Sequence, residues 1–216
     1  MTEYKECAKT QIGLRVSAEA VYSEATFRRI VEDAVWLHQQ AMRNQIDNSQ
    51  ERRYGRIIVL LMAFYLESLS NLLFEEVVGE ELERADFRTD LPRPLRKFRA
   101  IHSKLLGKEL SLNIEGIQDI FTIRNKVIAH PSGRAQLQTT EHGWDRIDTQ
   151  VNYKKFREFP SIYSRFTLRE AEAVLNEVRE FVTRFLGLIK DKVSQERIKE
   201  WWPDELVKWS ESASKH

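Results

Sequence analysis

The feature that most constrains the fold is an uninterrupted apolar run at positions 57–66, IIVLLMAFYL. The run sits in a segment without proline, and as a helix it is apolar on nearly every side rather than along one stripe. Asn48 or Ser49 can cap the start of this helix, and Gly79 is a candidate stop. A helix of this kind belongs in the middle of a bundle, where neighbouring helices cover it.

Four other segments repeat apolar residues at the three- and four-residue spacing of amphipathic helices, at about 18–45, 90–107, 113–131 and 167–189. Asp90 can cap the third helix of the chain, and Asn113 or Ser111 the fourth. Pro131 must end the fourth because it has no N–H to donate. Thr167-Leu-Arg-Glu170 has the pattern of a capping box. With few glycines and prolines, the sequence predicts an all-α bundle of about five helices.

Two regions depart from this pattern. Between 132 and 163 the helical period is lost, and residues 135–140 and 146–156 fit either a small β-hairpin insertion or an irregular loop. After 191, Ser194 or Asp191 can open a last helical piece, which Trp201-Trp202-Pro203 interrupts before Trp209. Tryptophans this close either fold back onto the bundle or meet a partner chain. We therefore expect one domain over 1–216, with a core at about 18–190 and a helical C-terminal extension at 191–216.

Composition excludes several classes of protein. Cys7 is the only cysteine, so an intrachain disulfide framework is excluded. The first ten residues carry charge where a signal peptide is apolar, and the 57–66 run is about half a membrane span. We therefore predict a cytoplasmic protein without a membrane partner.

The sequence also shows no pattern typical of a cofactor or metal site. The sequence contains neither a phosphate-binding glycine-rich loop nor a G-x-S-x-G elbow. His38 lies on an apolar helix face, as core histidines do. His102 and His142 lack cysteine or carboxylate neighbours at metal-ligand spacing. We expect no cofactor and no metal.

The charge of the whole chain and the charge of one segment give different indications about nucleic-acid binding. The chain has 34 basic and 33 acidic residues, so it lacks the overall basic charge of a generic nucleic-acid binder. Residues 88–108 contain seven basic residues and one acidic residue, a local balance of 7 − 1 = +6. This local excess fits either an RNA-binding surface or a solvated helix face.

Arg124 is the anomaly of the fourth helix. On a helical projection it falls in the middle of a face formed by Ile117, Ile120, Phe121, Val127 and Ile128. A guanidinium cannot lose its charge, so on such a face it needs an anionic partner or a polar pocket.

His130 follows Arg124 by six positions, roughly 120° round and about 9 Å along a regular helix. The two side chains would not converge on one straight helix, so either the helix bends or a second copy supplies one partner. Pro131 makes His130 the expected last helical residue, where the helix dipole favours the imidazolium. A histidine there can give and take protons near neutral pH.

Arg124, Asn125 and His130, at the end of a late apolar helix, resemble the signature of the HEPN superfamily. In that superfamily an arginine, usually followed by a polar residue, precedes a histidine by four to six intervening positions. The Ala-His-Pro ending is similar to that of bacterial HEPN-like abortive-infection and toxin proteins. The resemblance covers about 18–190 and implies an up-and-down helical bundle.

The resemblance also implies a function. It implies a metal-independent endoribonuclease of a defence or toxin–antitoxin system, with RNA as substrate, an antitoxin or other protein as partner, and a site shared across a homodimer. His130 would move a proton at the ribose 2′-hydroxyl or the leaving 5′-oxygen. Arg124 would neutralise charge on the phosphate. Asn125 would orient one of these two side chains, Arg124 or His130.

A non-catalytic reading stays open beside this one. Many members of the superfamily look non-catalytic, and the chain would then be a protein-interaction or RNA-binding module. Arg124 would pair with Glu67 or Glu115, His130 would cap helix carbonyls, and the tryptophan-rich tail would bind a protein partner. Glu67 and Asn71, one turn apart, either line the same site or form a structural polar cluster.

Overall fold

The computed structural model describes residues 28–44, 46–79, 91–125, 135–140, 143–148 and 167–213. Within these ranges the chain is predominantly helical, so the predicted all-α class is confirmed. The helices are α1 (28–43), α2 (Asn48–Val77), α3 (Arg93–Leu106), α4 (Glu115–Thr122), α5 (Leu168–Ile189), α6 (Gln195–Trp201) and α7 (Asp204–Ala213). Two strands, β1 (Ala135–Thr140) and β2 (Gly143–Asp148), lie between α4 and α5.

Helix α2 is the central element, as its apolar run predicts. It packs along both α3 and α5 and also contacts α4. Its buried side includes Ile58, Val59, Met62, Leu66, Leu69 and Leu73. Its cover is not complete, because Ile57 and Phe64 are 42% and 46% exposed. Among the described residues, the helices that pack on α2 therefore leave one apolar side exposed.

The N-terminus of α2 is capped differently from the prediction. Asp47, not Asn48 or Ser49, is the N-cap, and its Oδ1 accepts hydrogen bonds from the backbone N–H groups of Ser49 and Gln50 at 2.7 and 2.8 Å. Gln50 completes a capping box by accepting from the Asp47 N–H. At the other end Gly79 has φ 74° and donates to the Phe74 carbonyl, which agrees with the predicted stop.

Helices α3 and α4 set the geometry near Arg124 and Asn125. The N-cap of α3 is Pro92, while Asp90, the predicted cap, lies outside the described residues; Gly107 closes the helix with φ 66°. Asn113 Oδ1 accepts from the Glu115 N–H at 3.1 Å at the start of α4. The α-helical pattern stops at Thr122, and 123–125 form a turn of wider π-helix. The predicted end at Pro131 lies outside the described residues.

The C-terminal helices belong to the same core as the bundle. Thr167 and Glu170 form the predicted capping box of α5, and Ser194 is the N-cap of α6. Trp201 and Trp209 are buried with Leu206, so these two tryptophans fold back onto the bundle.

Strands β1 and β2 pair antiparallel, with Ala135 opposite Asp148 and Thr140 opposite Gly143. They lie in the region for which the sequence left a hairpin and an irregular loop open. The residues between them, 141–142, are outside the described part of the chain.

By length and composition α2 could cross a membrane, because its apolar stretch continues past position 66 with few charges. More than half of that stretch is buried inside the bundle. A buried core helix meets the same criteria, so the absence of a membrane partner remains a prediction.

Candidate functional site

The structure places Arg124 where α4 passes into its π-helical turn, with the side chain only 17% exposed. Its Nη1 donates to Oε2 of Glu67 on α2, which forms an ion pair between the two helices. The guanidinium carbon also lies 5.9 Å from the centre of the Phe64 ring and 5.3 Å from that of Phe121. Two aromatic rings and one carboxylate thus explain how the apolar face accommodates a permanent cation.

Asn125 fixes the orientation of this guanidinium. Its Oδ1 accepts a hydrogen bond from Arg124 Nε at 2.9 Å, while the residue itself is exposed. Arginine has five N–H donors, and this bond and the one to Glu67 use two of them. Within the described ranges Nη2 has no hydrogen-bond acceptor. With respect to the described residues, Arg124 therefore has N–H donors available for an added anion.

Glu67 was one of two carboxylates predicted as an internal partner for Arg124, and it is the one the structure brings into contact. Its side chain is 39% exposed, so the pair lies at the edge of the core and not inside it. Ion pairs with this degree of exposure contribute about 0–1 kcal/mol to stability. Glu115, the other candidate, is exposed in the first turn of α4.

One turn further along α2, Asn71 holds a second cation. Its Oδ1 accepts from Lys97 Nζ of α3 at 2.9 Å, and the ammonium lies 5.0 Å from the centre of the Phe74 ring. The same face of α2 thus contacts a cation from α4 through Glu67 and one from α3 through Asn71. The sequence paired Glu67 with Asn71 but did not single out Lys97, whose only signal was its place in the basic 88–108 segment.

His130 lies outside the described residues, so its position relative to Arg124 stays a prediction. The π-helical turn at 123–125 bears on that prediction. A π turn has a different number of residues per turn from an α-helix. The separation calculated for one straight α-helix therefore does not apply beyond Arg124.

Next to the Arg124 cluster, α2 presents an apolar stripe to the outside. We call Ile57, Leu60, Leu61 and Phe64 the α2 stripe; Ile57 and Phe64 are exposed and the two leucines are half-buried. Their i, i+3, i+4 and i+7 spacing puts them on one side of the helix. Because the Phe64 ring contacts the guanidinium, the stripe is continuous with the cluster.

Two other histidines, His38 and His102, lie in the core. His38 is buried and accepts a hydrogen bond from Trp209, as a core histidine would. His102 is buried with Nδ1 at 3.0 Å from the Lys108 carbonyl oxygen. In the described ranges no three His, Cys, Asp or Glu side chains lie together as a metal site requires, and Cys7 and His142 lie outside those ranges.

Comparisons with protein-family models, with curated proteins and with solved structures found no match to this chain. The resemblance to the HEPN superfamily therefore rests on Arg124, Asn125, His130 and the helix that carries them.

Proposed function

We propose that the protein is a metal-independent endoribonuclease of a defence or toxin–antitoxin system, with a site shared across a homodimer. The observation that carries the proposal is the setting of Arg124. This cation is held at the edge of the apolar core and is oriented by Asn125. Among the described residues it keeps N–H donors for an outside anion. A phosphodiester is an anion that matches such a donor set.

The reaction is attack of the ribose 2′-oxygen on the adjacent phosphorus. A bond forms between them, the bond from phosphorus to the 5′-oxygen breaks, and the products are a 2′,3′-cyclic phosphate and a 5′-hydroxyl. His130 takes the proton from the 2′-hydroxyl or delivers one to the 5′-oxygen. Arg124 stabilises the extra negative charge on the phosphate oxygens, and Asn125 keeps the guanidinium in place.

Glu67 acts in this scheme as the resting partner of the arginine. Without RNA, the Glu67 carboxylate keeps the Arg124 side chain in place at the edge of the core. Little rotamer freedom of the arginine is therefore lost when a phosphate binds. The pair is partly exposed, and exchange of its carboxylate for a phosphate costs about 0–1 kcal/mol of lost pairing.

The homodimer is supported by the α2 stripe. Exposed apolar surface next to a polar cluster is typical of contact sites between proteins. A second copy that covered Ile57 and Phe64 would bury apolar area at about 25 cal/mol per Å². It would also bring two copies of the Arg124 cluster close together, because Phe64 belongs to both features.

The test is RNA cleavage by the full chain in the presence of a chelator, with matched arginine variants. Arg124→Ala and His130→Ala are each expected to lower the cleavage rate by about a hundredfold or more. Arg184→Ala, which removes an exposed arginine paired with Glu180 on α5, should cleave at the wild-type rate. Wild-type cleavage by a folded Arg124→Ala or His130→Ala protein would refute the assignment.

A second candidate is a non-catalytic HEPN-like module that binds a protein partner or RNA. The specific observation in its favour is that Glu67, an internal carboxylate, already accepts from Arg124. Trp201 and Trp209 are buried, so the partner surface of such a module is the α2 stripe and not the tail. A module that binds a protein through the stripe would keep its affinity after Arg124→Ala, a module that binds RNA would lose affinity, and both would leave RNA intact.

A further inference from the structure

A buried histidine and a buried tryptophan join the C-terminal helices to α1. His38 of α1 and Trp209 of α7 are 5% and 3% exposed. Their rings meet edge to face, 5.3 Å apart and at 89°, and Trp209 Nε1 donates to His38 Nδ1 at 3.2 Å. This contact spans 171 positions of sequence, so it fastens the end of the chain to its first described helix.

The direction of this hydrogen bond sets the protonation state of His38. An indole nitrogen only donates, so Nδ1 must carry a lone pair and the proton must be on Nε2. Within the described part of the chain, Nε2 is buried without a hydrogen-bond partner. An imidazolium has a donor on both nitrogens, so protonation would set an N–H against the N–H of Trp209.

Glu172 is the charged group that acts on His38, and Lys208 is the sequence neighbour of Trp209. Glu172 of α5 favours the imidazolium through its charge, but burial outweighs it and lowers the pKa of His38 below the ordinary histidine value. On α7, Lys208 is bonded to Glu205 at 2.8 Å. The negative charges of Asp204 on α7 and Glu32 on α1 also favour the protonated form of Lys208. The net effect at His38 is therefore an environment that disfavours its protonated form.

We propose that the His38–Trp209 contact is a proton-sensitive latch that holds α7 on the bundle at neutral pH and releases it when the imidazole takes up a proton. Besides the apolar packing of Leu206 and Trp209, the polar contacts that tie this region to the described part of the bundle act on α6. Arg28 Nη2 donates to the Glu200 carbonyl at 3.1 Å, and Arg197 Nε pairs with Glu76 at 3.1 Å. These arginines stay charged throughout the pH range of histidine titration, so α7 is the helix that responds.

The direction in which pH changes the docking of α7 follows from which state binds the proton more tightly. The released state, with an ordinary histidine pKa of about 6.5, binds the proton more tightly than the latched state. Docking is therefore complete above about pH 6.5 and weakens as the pH falls from there towards the lowered pKa. One proton is taken up, so the docking equilibrium changes by at most about tenfold per pH unit.

The test is amide hydrogen exchange of the full chain between pH 7.5 and 5, with protection corrected for the intrinsic effect of pH. Peptides from 204–213 should lose protection below about pH 6.5, by at most about tenfold per unit, while peptides from α5 keep theirs. Unchanged protection of 204–213 down to pH 5, or equal loss in α5, would overturn the latch.

Two variants assign the effect to His38. His38→Asn keeps a side-chain acceptor without a titratable group, so protection of 204–213 should no longer depend on pH. Glu172→Gln leaves both latch residues in place and removes the charge that favours the imidazolium. The loss of protection should still begin near pH 6.5, where the released state takes up its proton, and should continue to a lower pH than in the wild type. A wild-type pH dependence in both variants would show that another group is responsible.

Discussion

At Arg124, four side chains compensate for a charge that the apolar face alone would not accept. Glu67 supplies the opposite charge, Asn125 accepts from Nε, and Phe64 and Phe121 supply ring faces. Each contribution is small, of the order of 0.5–2 kcal/mol for a cation over a ring and less for a partly exposed ion pair. Among the described residues these contacts use only part of the guanidinium, and the proposed function assigns the remaining donors to an anion.

Glu67→Gln tests whether the carboxylate competes with substrate. Glutamine keeps an acceptor for Arg124 but removes the negative charge. We expect a loss of at most about 1 kcal/mol in the free energy of unfolding, and a lower KM for RNA because the phosphate no longer displaces an anion. Unfolding in urea and initial cleavage rates measure the two effects.

Glu180→Gln is the matched control, because Glu180 pairs with Arg184 on the exposed side of α5. It should leave KM unchanged. If Glu67→Gln costs several kcal/mol of stability and leaves KM unchanged, the ion pair is structural and the competition model fails.

Single residues show what the sequence can predict about this site. The helical projection identified Arg124 as anomalous and named Glu67 as one of two partners, because both inferences need only the helical period. It could not choose between Glu67 and Glu115, since the choice depends on how α2 and α4 cross. The contact of Lys97 with Asn71 was missed for the same reason: it joins two helices 26 positions apart.

Among the helices, local signals predicted most boundaries to within one or two residues. The capping box at Thr167 and the stop at Gly79 follow from short-range backbone chemistry, and both are present. The same kind of signal predicted Asn48 or Ser49 as the cap of α2, yet the cap is Asp47, one residue earlier than Asn48. The π-helical turn at 123–125 has no local sequence signal, because neighbouring helices help determine where an α-helix widens.

The cap of α2 gives a prediction on stability. Asp47→Ala removes the acceptor of two backbone N–H groups and should lower the free energy of unfolding by about 0.5–2 kcal/mol. Ser49→Ala and Asn48→Ala change the two caps expected from sequence, and each should cost much less because both residues lie within α2. Urea unfolding of the three variants measures the difference. An equal or larger loss in Ser49→Ala would place the cap where the sequence predicted it.

Considered as a whole molecule, the chain builds one apolar core from helices at both ends of the described sequence. Residues of α1, α2 and α5 pack in the same cluster as Trp201, Leu206 and Trp209. The sequence predicted the helical class and the central place of α2 from periodicity. It left open whether the tail docks, because that depends on the shape of the surface that the tryptophans meet.

The exposed α2 stripe and the Arg124 cluster lie on this core as one continuous surface. Both features are explained together by a homodimeric ribonuclease. A module that only binds a protein would explain the stripe but would make no use of the remaining arginine donors, and a module that binds RNA would use them without cutting it. The chemistry of the RNA ends therefore separates the two accounts.

The most direct measurement is to incubate the full chain with total RNA in the presence of a chelator and to identify the newly formed ends. We predict new 5′-hydroxyl and 2′,3′-cyclic phosphate ends with the wild-type protein, and no new ends with Arg124→Ala. New ends that carry 5′-phosphate and 3′-hydroxyl groups, or no new ends at all with the wild-type protein, would contradict the proposed function.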